Sequence, residues 1–170
     1  FRFIPIGDTT QVMVDERAEI LSQVQQLFEE HRFGVLCTRQ SSGAPYGNLV
    51  AVAAVDELQG VLFATLRSTR KWDNLCAEPR IALVMDNRTN RDADLREALG
   101  VTLLGDAREL SGPSREKYTR HYVAKHPQLA EFLATPECAL MRVDVQTLIT
   151  VTRFQQVIEI HFEPAEDHAL

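Results

Sequence analysis

Apolar positions along the chain change period several times, and each change marks an element. Over residues 14–32 they recur every three to four positions, with Ile20, Val24, Leu27 and Phe28 on one face, which predicts an amphipathic helix. Phe33-Gly34-Val35-Leu36-Cys37-Thr38 is a strand-like run closed by a turn at Ser41-Ser42-Gly43. Residues 46–55, rich in Val and Ala, predict a second strand, and Asp56-Glu57-Leu58-Gln59-Gly60 turns it into a third over residues 60–65. Helical spacing returns at Trp72, Leu75 and Cys76 until Pro79 stops it.

Residues 80–85 and 101–107 predict two further strands, separated by a polar stretch at 86–96 with room for one helical turn. Ser111-Gly112-Pro113 opens a helix running to Lys125, His126-Pro127 breaks it, and a shorter helix covers 128–133. Two last strands, over 138–151 and 154–161, complete the pattern. Closely spaced strands with brief helical interruptions predict a mainly β (α+β) fold, an antiparallel barrel with peripheral helices, and exclude a doubly wound parallel sheet. The expected organisation is an N-terminal helical segment (1–32), a barrel domain (33–162) and a loose polar tail (163–170).

With 170 residues the chain is long enough to bury a substantial core. A net charge of −6 argues against a nucleic-acid partner, which would call for a broad basic face. No apolar run approaches the roughly 20 residues of a membrane span, and Phe-Arg-Phe-Ile-Pro-Ile at the start lacks the form of a secretory leader. Cys37, Cys76 and Cys138 are widely spaced among apolar residues, which predicts buried structural thiols and a reducing, cytoplasmic setting.

One segment departs from this ordinary balance. In Thr65-Leu66-Arg67-Ser68-Thr69-Arg70-Lys71-Trp72-Asp73-Asn74-Leu75, Ser68 or Thr69 is the natural N-cap, so Arg70 and Lys71 fall in the first helical turn and Arg67 just before it. The helix dipole is positive there and disfavours each cation by roughly 0.3–1 kcal/mol. The segment is either a solvated basic turn or a phosphate site. Free backbone N–H groups, hydroxyls and cations in one place favour the phosphate.

Histidine offers no comparable signal. His121 and His126 are spaced i, i+5, which lacks the i, i+4 pairing of a helical zinc site. His31 is placed to cap helix carbonyls, and the acids Asp92, Asp94 and Glu97 read as solvated surface. No metal site and no catalytic side chain is assigned.

The ordered set Gly43-Ala44-Pro45-Tyr46-Gly47-Asn48-Leu49-Val50, Leu62-Phe63-Ala64-Thr65, Ser68-Thr69-Arg70-Lys71, Asn74-Leu75, Glu78-Pro79-Arg80-Ile81-Ala82-Leu83 and Leu104-Gly105-Asp106-Ala107 resembles the pyridoxamine 5′-phosphate oxidase-like FMN-binding split-barrel family. The resemblance implies a homodimer with FMN at the subunit interface. It places Asn48, Leu49 and Val50 along the isoalloxazine and ribityl chain, Ala64 and Thr65 against the flavin, and Ser68, Thr69, Arg70 and Lys71 on the phosphate. Asn74 would reach the same region, and Asn87, Arg153 and Phe154 are candidates for contacts from a second subunit.

The departures bear on activity. Asn48 stands where the oxidases carry an FMN-phosphate Arg, and Ala53 where they carry a substrate Lys. Tyr118 matches a substrate-phosphate Tyr, but Tyr122 replaces the following Arg and Gly100 a Gln. The resemblance therefore implies a flavoprotein oxidoreductase other than a pyridoxamine phosphate oxidase. It would move a hydride through flavin N5 to a small molecule of nitro or quinone-like type. A non-enzymatic flavin or haem-handling protein on the same fold is the alternative.

Overall fold

The computed structural model of the chain describes residues 14–152 and 156–163. Arg153, Phe154 and the segment after 163 lie outside the described residues. The amphipathic pattern becomes helix α1 (Val14–Glu30), and the strand-like runs become β1 (Phe33–Arg39), β2 (Pro45–Ala51), β3 (Ala53–Val55) and β4 (Gly60–Leu66). The basic segment opens α2 (Arg70–Ala77), followed by β5 (Arg80–Asp86), α3 (Asp94–Glu97) and β6 (Gly100–Glu109). After α4 (Gly112–Lys125) a 3-10 turn (Pro127–Leu129) leads into α5 (Ala130–Ala134), then β7 (Cys138–Thr152) and β8 (Gln156–His161).

Every strand pairing among the described residues is antiparallel, in the order β2-β1-β5-β6-β7-β4-β3 with β8 on β7. The sheet curls into a split barrel with peripheral helices. Alternation divides its faces. Leu36, Leu83, Leu103, Leu148 and Ile160 form one cross-strand row that points inward and is buried. Ile20, Val24, Leu27 and Phe28 of α1 join this core. A second core lies under α4 and α5, around Leu62, Leu110, Tyr122, Leu133 and Leu140.

β6 and β7 shift register between Leu104 and Gly105, leaving Gln146 unpaired in the ladder. Only glycine fits there, since a Cβ on Gly105 would lie 2.2 Å from the Asp144 carbonyl oxygen.

The single strand expected over 46–55 is broken at Val52. The Val52 N–H donates to Arg32 O at 3.0 Å, and its carbonyl accepts from His126 Nε2 at 2.9 Å. Both backbone groups are thus drawn out of the ladder, and the chain passes from pairing with β1 to pairing with β4. The C-terminal end of α4 is the latch. Tyr122 donates its hydroxyl to Ala51 O at 3.1 Å, its ring lies 4.9 Å from that of His126, and Lys125 Nζ caps Phe28 O and His31 O at the end of α1. Burial pushes the Tyr122 phenol up to about 12 and the Lys125 ammonium down to about 8.

Cys138 is buried, but Cys37 is only partly so and Cys76 is exposed, which corrects the expectation of three buried thiols. At 100° per residue the inward face of α2 falls on Asn74 and Leu75, and Cys76 turns past it.

His126 carries a pH dependence. Burial, and then the positive charges of Lys125 and Arg32, depress its imidazole below the ordinary value of 6.5, against the opposing effect of the Val52 bond. The unfolded chain therefore binds the proton first, and folded stability falls as pH drops below about 6.5. His126→Gln should flatten the slope of unfolding free energy against pH below that value. Urea unfolding at several pH values measures it, and an unchanged slope would assign it elsewhere.

Candidate functional site

The region singled out by its charge lies where α2 crosses β1 and β4. Thr69 is the N-cap. Its hydroxyl donates to Leu66 O at 2.8 Å, accepts from Trp72 N at 3.4 Å, and lies 3.0 Å from the Thr65 hydroxyl. Two hydroxyls expected to serve a ligand are thus engaged in building the turn. Thr65 is buried behind it, whereas Ser68 is exposed at its tip. Among the described residues the amides of Arg70 and Lys71 have no intrachain acceptor, as expected of a first helical turn.

The cations divide. Arg67 pairs with Glu109, donates to Pro136 O at 2.7 Å and lies over Trp72, so it braces the start of β7 and is not free for a ligand. Arg70 and Lys71 have no acidic partner among the described residues. Arg70 is exposed, with its guanidinium carbon 5.5 Å from the centre of the Tyr46 ring. Lys71 is half-buried, and burial lowers its ammonium below the usual range against a smaller opposing effect of Tyr46. An anion here would relieve that desolvation. Asp73, also in this turn, offsets part of the positive charge.

Asn74, one helical turn beyond Arg70, is tied to the barrel. It is buried, and its Nδ2 donates at 2.9 Å to Thr38 Oγ1, which itself donates at 3.4 Å to Tyr46 O. This chain of bonds ties α2 through β1 to β2. Thr38 and Tyr46 were not among the sequence candidates, although alternation puts Tyr46 on the same face of β2 as Asn48.

The trio Asn48, Leu49 and Val50 splits between faces. Val50 is core, and Leu49 is 67% exposed on the outer face. Asn48 pairs with Leu36 and so continues the inward leucine row. Its Oδ1 is buried without a hydrogen-bond partner, a costly arrangement for a polar atom. β2 is also the terminal strand of the order, so one edge of its backbone faces no other strand among the described residues. Ala64, half-buried on β4, packs against the second core.

The residues aligned with substrate anchors are otherwise engaged. Tyr118 donates at 2.6 Å to Asp56 Oδ2 and accepts at 2.8 Å from Arg142 Nη1. Arg142 also pairs with Asp56 and, at 2.6 Å, with Asp144. Burial would raise the Asp56 carboxyl, but the Tyr118 and Arg142 bonds outweigh it and hold it below the ordinary value. Tyr122 is buried on Ala51 O, and Ala53 is core.

A family model for pyridoxamine 5′-phosphate oxidase matches residues 20–161, most of the chain. The chain belongs to the pyridoxamine 5′-phosphate oxidase family. Among curated protein sequences none matches it. The fold is shared with a heme-binding protein from Mycobacterium smegmatis, at TM-score 0.75 and 14% identity over 83% of this chain and 57% of that one. It is shared also with ChuZ of Campylobacter jejuni, at TM-score 0.72 and 11% identity over 85% of this chain and 60% of that one. This chain thus spans about three-fifths of the length of those two proteins. A protein of Clostridium acetobutylicum related to general stress protein 26 matches at TM-score 0.66 and 16% identity, over 85% of this chain and 95% of that one. Among the described residues no helix is long and apolar enough to cross a membrane, and no group of three or more His, Cys, Asp or Glu could hold a metal ion.

The Asn74–Thr38 bond should be a measurable coupling between α2 and the barrel. A double-mutant cycle of Thr38→Val and Asn74→Ala, read by urea unfolding, is expected to give a coupling of about 1 kcal/mol. Strict additivity would show that the two side chains do not support each other.

Proposed function

We propose that the chain is an FMN-binding oxidoreductase of this family, acting as a cytoplasmic homodimer with the cofactor at the subunit interface. The observation that carries the reading is the first turn of α2, where free amides stand beside two cations that lack acidic partners among the described residues. Ser68, Arg70 and Lys71 hold the phosphate, with Thr65 and Thr69 shaping the turn. The orphaned Asn48 carbonyl accepts a ribityl hydroxyl, and the backbone edge of β2 and Ala64 of β4 border the ring system. A buried acceptor awaiting a donor fits a polyol better than it fits a second charge.

The bound flavin would supply hydride transfer at N5. The chain's own contribution is to bind, orient and exclude water, and no side chain is assigned to the chemical step. Tyr118 and Tyr122 of α4 are held in internal bonds, the first with Arg142 of β7, so a substrate phosphate would have to break one of them to use either tyrosine. That supports an uncharged acceptor of nitro or quinone-like type over pyridoxamine phosphate.

The dimer reading is supported by the outer face of the sheet. Leu49, Val35, Val84, Thr102 and Ile149 form one cross-strand row there, with Leu104 beside it. Leu49 and Val35 are exposed. A mostly apolar row of this kind suits burial against a second copy.

Haem is the second reading, favoured by the name of the Mycobacterium smegmatis protein. Against it, the His126 ring is buried with its Nε2 held by Val52 O, and His121 directs Nδ1 to Lys117 O at 3.2 Å.

Replacing both Arg70 and Lys71 by Ala should weaken FMN binding by at least about 2 kcal/mol, roughly thirtyfold, after discounting for the exposure of Arg70. Quenching of FMN fluorescence reads the affinity. Riboflavin, which lacks the phosphate, should bind the variant and the parent equally. Unchanged FMN affinity would place the phosphate elsewhere.

A further inference from the structure

Among the described residues, two ways of holding an arginine contrast. Arg67, Arg80, Arg108 and Arg142 are fixed by carboxylates, which occupy their N–H donors and cancel their charge. Arg70 is held by the face of Tyr46, which restrains a guanidinium while leaving its in-plane donors and full charge available. The second arrangement leaves an arginine ready to receive an anion.

Tyr46 is itself anchored to α2 from behind. Its carbonyl accepts from Thr38, and Thr38 accepts from Asn74 on the buried side of the helix. Backbone and ring of one β2 residue therefore both address α2. Tyr46 also lies close enough to Lys71 to oppose the lowering of its ammonium pKa. Two residues further along the same face of β2, about 6–7 Å away at strand spacing, is the orphaned Asn48 carbonyl.

We propose that Tyr46 is a positioning residue for the anion site. Its ring holds the Arg70 guanidinium on the β2 side of the first turn of α2, so that the chain favours a phosphate monoester with a neutral hydroxylated stem over the same molecule without its phosphate. This rests on the reading of an FMN phosphate at α2.

The test compares Tyr46→Leu, Tyr46→Phe and the parent in full-length protein, with dissociation constants for FMN and for riboflavin. Tyr46→Leu is expected to weaken FMN about three- to tenfold and to leave riboflavin unchanged, while Tyr46→Phe, which keeps the ring face, retains most of the parent's preference. Arg70→Lys, which loses the planar stack, should lower the FMN preference in the same direction and serves if Tyr46→Leu does not fold. An unaltered FMN-to-riboflavin ratio in Tyr46→Leu, or an equal loss for both ligands, would overturn the positioning role while leaving the FMN reading intact. If the parent ignores FMN, that reading fails by itself. Thermal stabilisation by inorganic phosphate then decides the inference: a gain in the parent that Tyr46→Leu loses upholds it, and no gain in the parent overturns it.

Discussion

The hydrogen bond from Asn74 to Thr38 sets the direction of α2, and the candidate site follows from it. A helix of eight residues has little stability of its own, so its orientation must come from tertiary contacts. Leu75 packs into the core and Asn74 reaches across to β1, and Arg70 and Lys71 sit one turn earlier at the open N-terminal end of the same helix. Thr69 stops the helix from extending backward by capping Trp72 N. Free amides, two cations and the Tyr46 ring then meet because one polar bond and one leucine fix the helix from beneath.

The same economy of polar groups separates site from scaffold elsewhere. Asp56, Tyr118, Arg142 and Asp144 satisfy one another at the end of the barrel, and the bend at Val52 is held by Arg32 and His126, which follow closely on α1 and α4. Groups with internal partners are poor candidates for binding a ligand, since each would first have to break a bond. Among the described residues, the groups near α2 that stand out against this background are the Asn48 side-chain carbonyl, the Arg70 and Lys71 amides, and the ammonium of Lys71.

Local chemistry was legible in the sequence, and long-range pairing was not. Alternation over Phe33–Arg39 and Arg80–Asp86 announces strands with one buried face, and Thr69 before a basic turn announces a helix start. The break at Val52 could not be read from residues 46–55, because it depends on Arg32 and on His126, which is 74 positions away in the chain. Arg67 looked as free as Arg70 until Glu109, 42 positions later, was found beside it. Tyr46 could have been found by noticing that it shares a face with Asn48, but nothing local reveals that Arg70 folds over its ring.

A visible absorption spectrum of the purified protein, repeated after titration with FMN, tests the central claim most directly. The account predicts flavin bands that shift on binding, with saturation at one FMN per chain. A Soret band without flavin bands, or a protein that stays colourless and leaves FMN unperturbed, would contradict it.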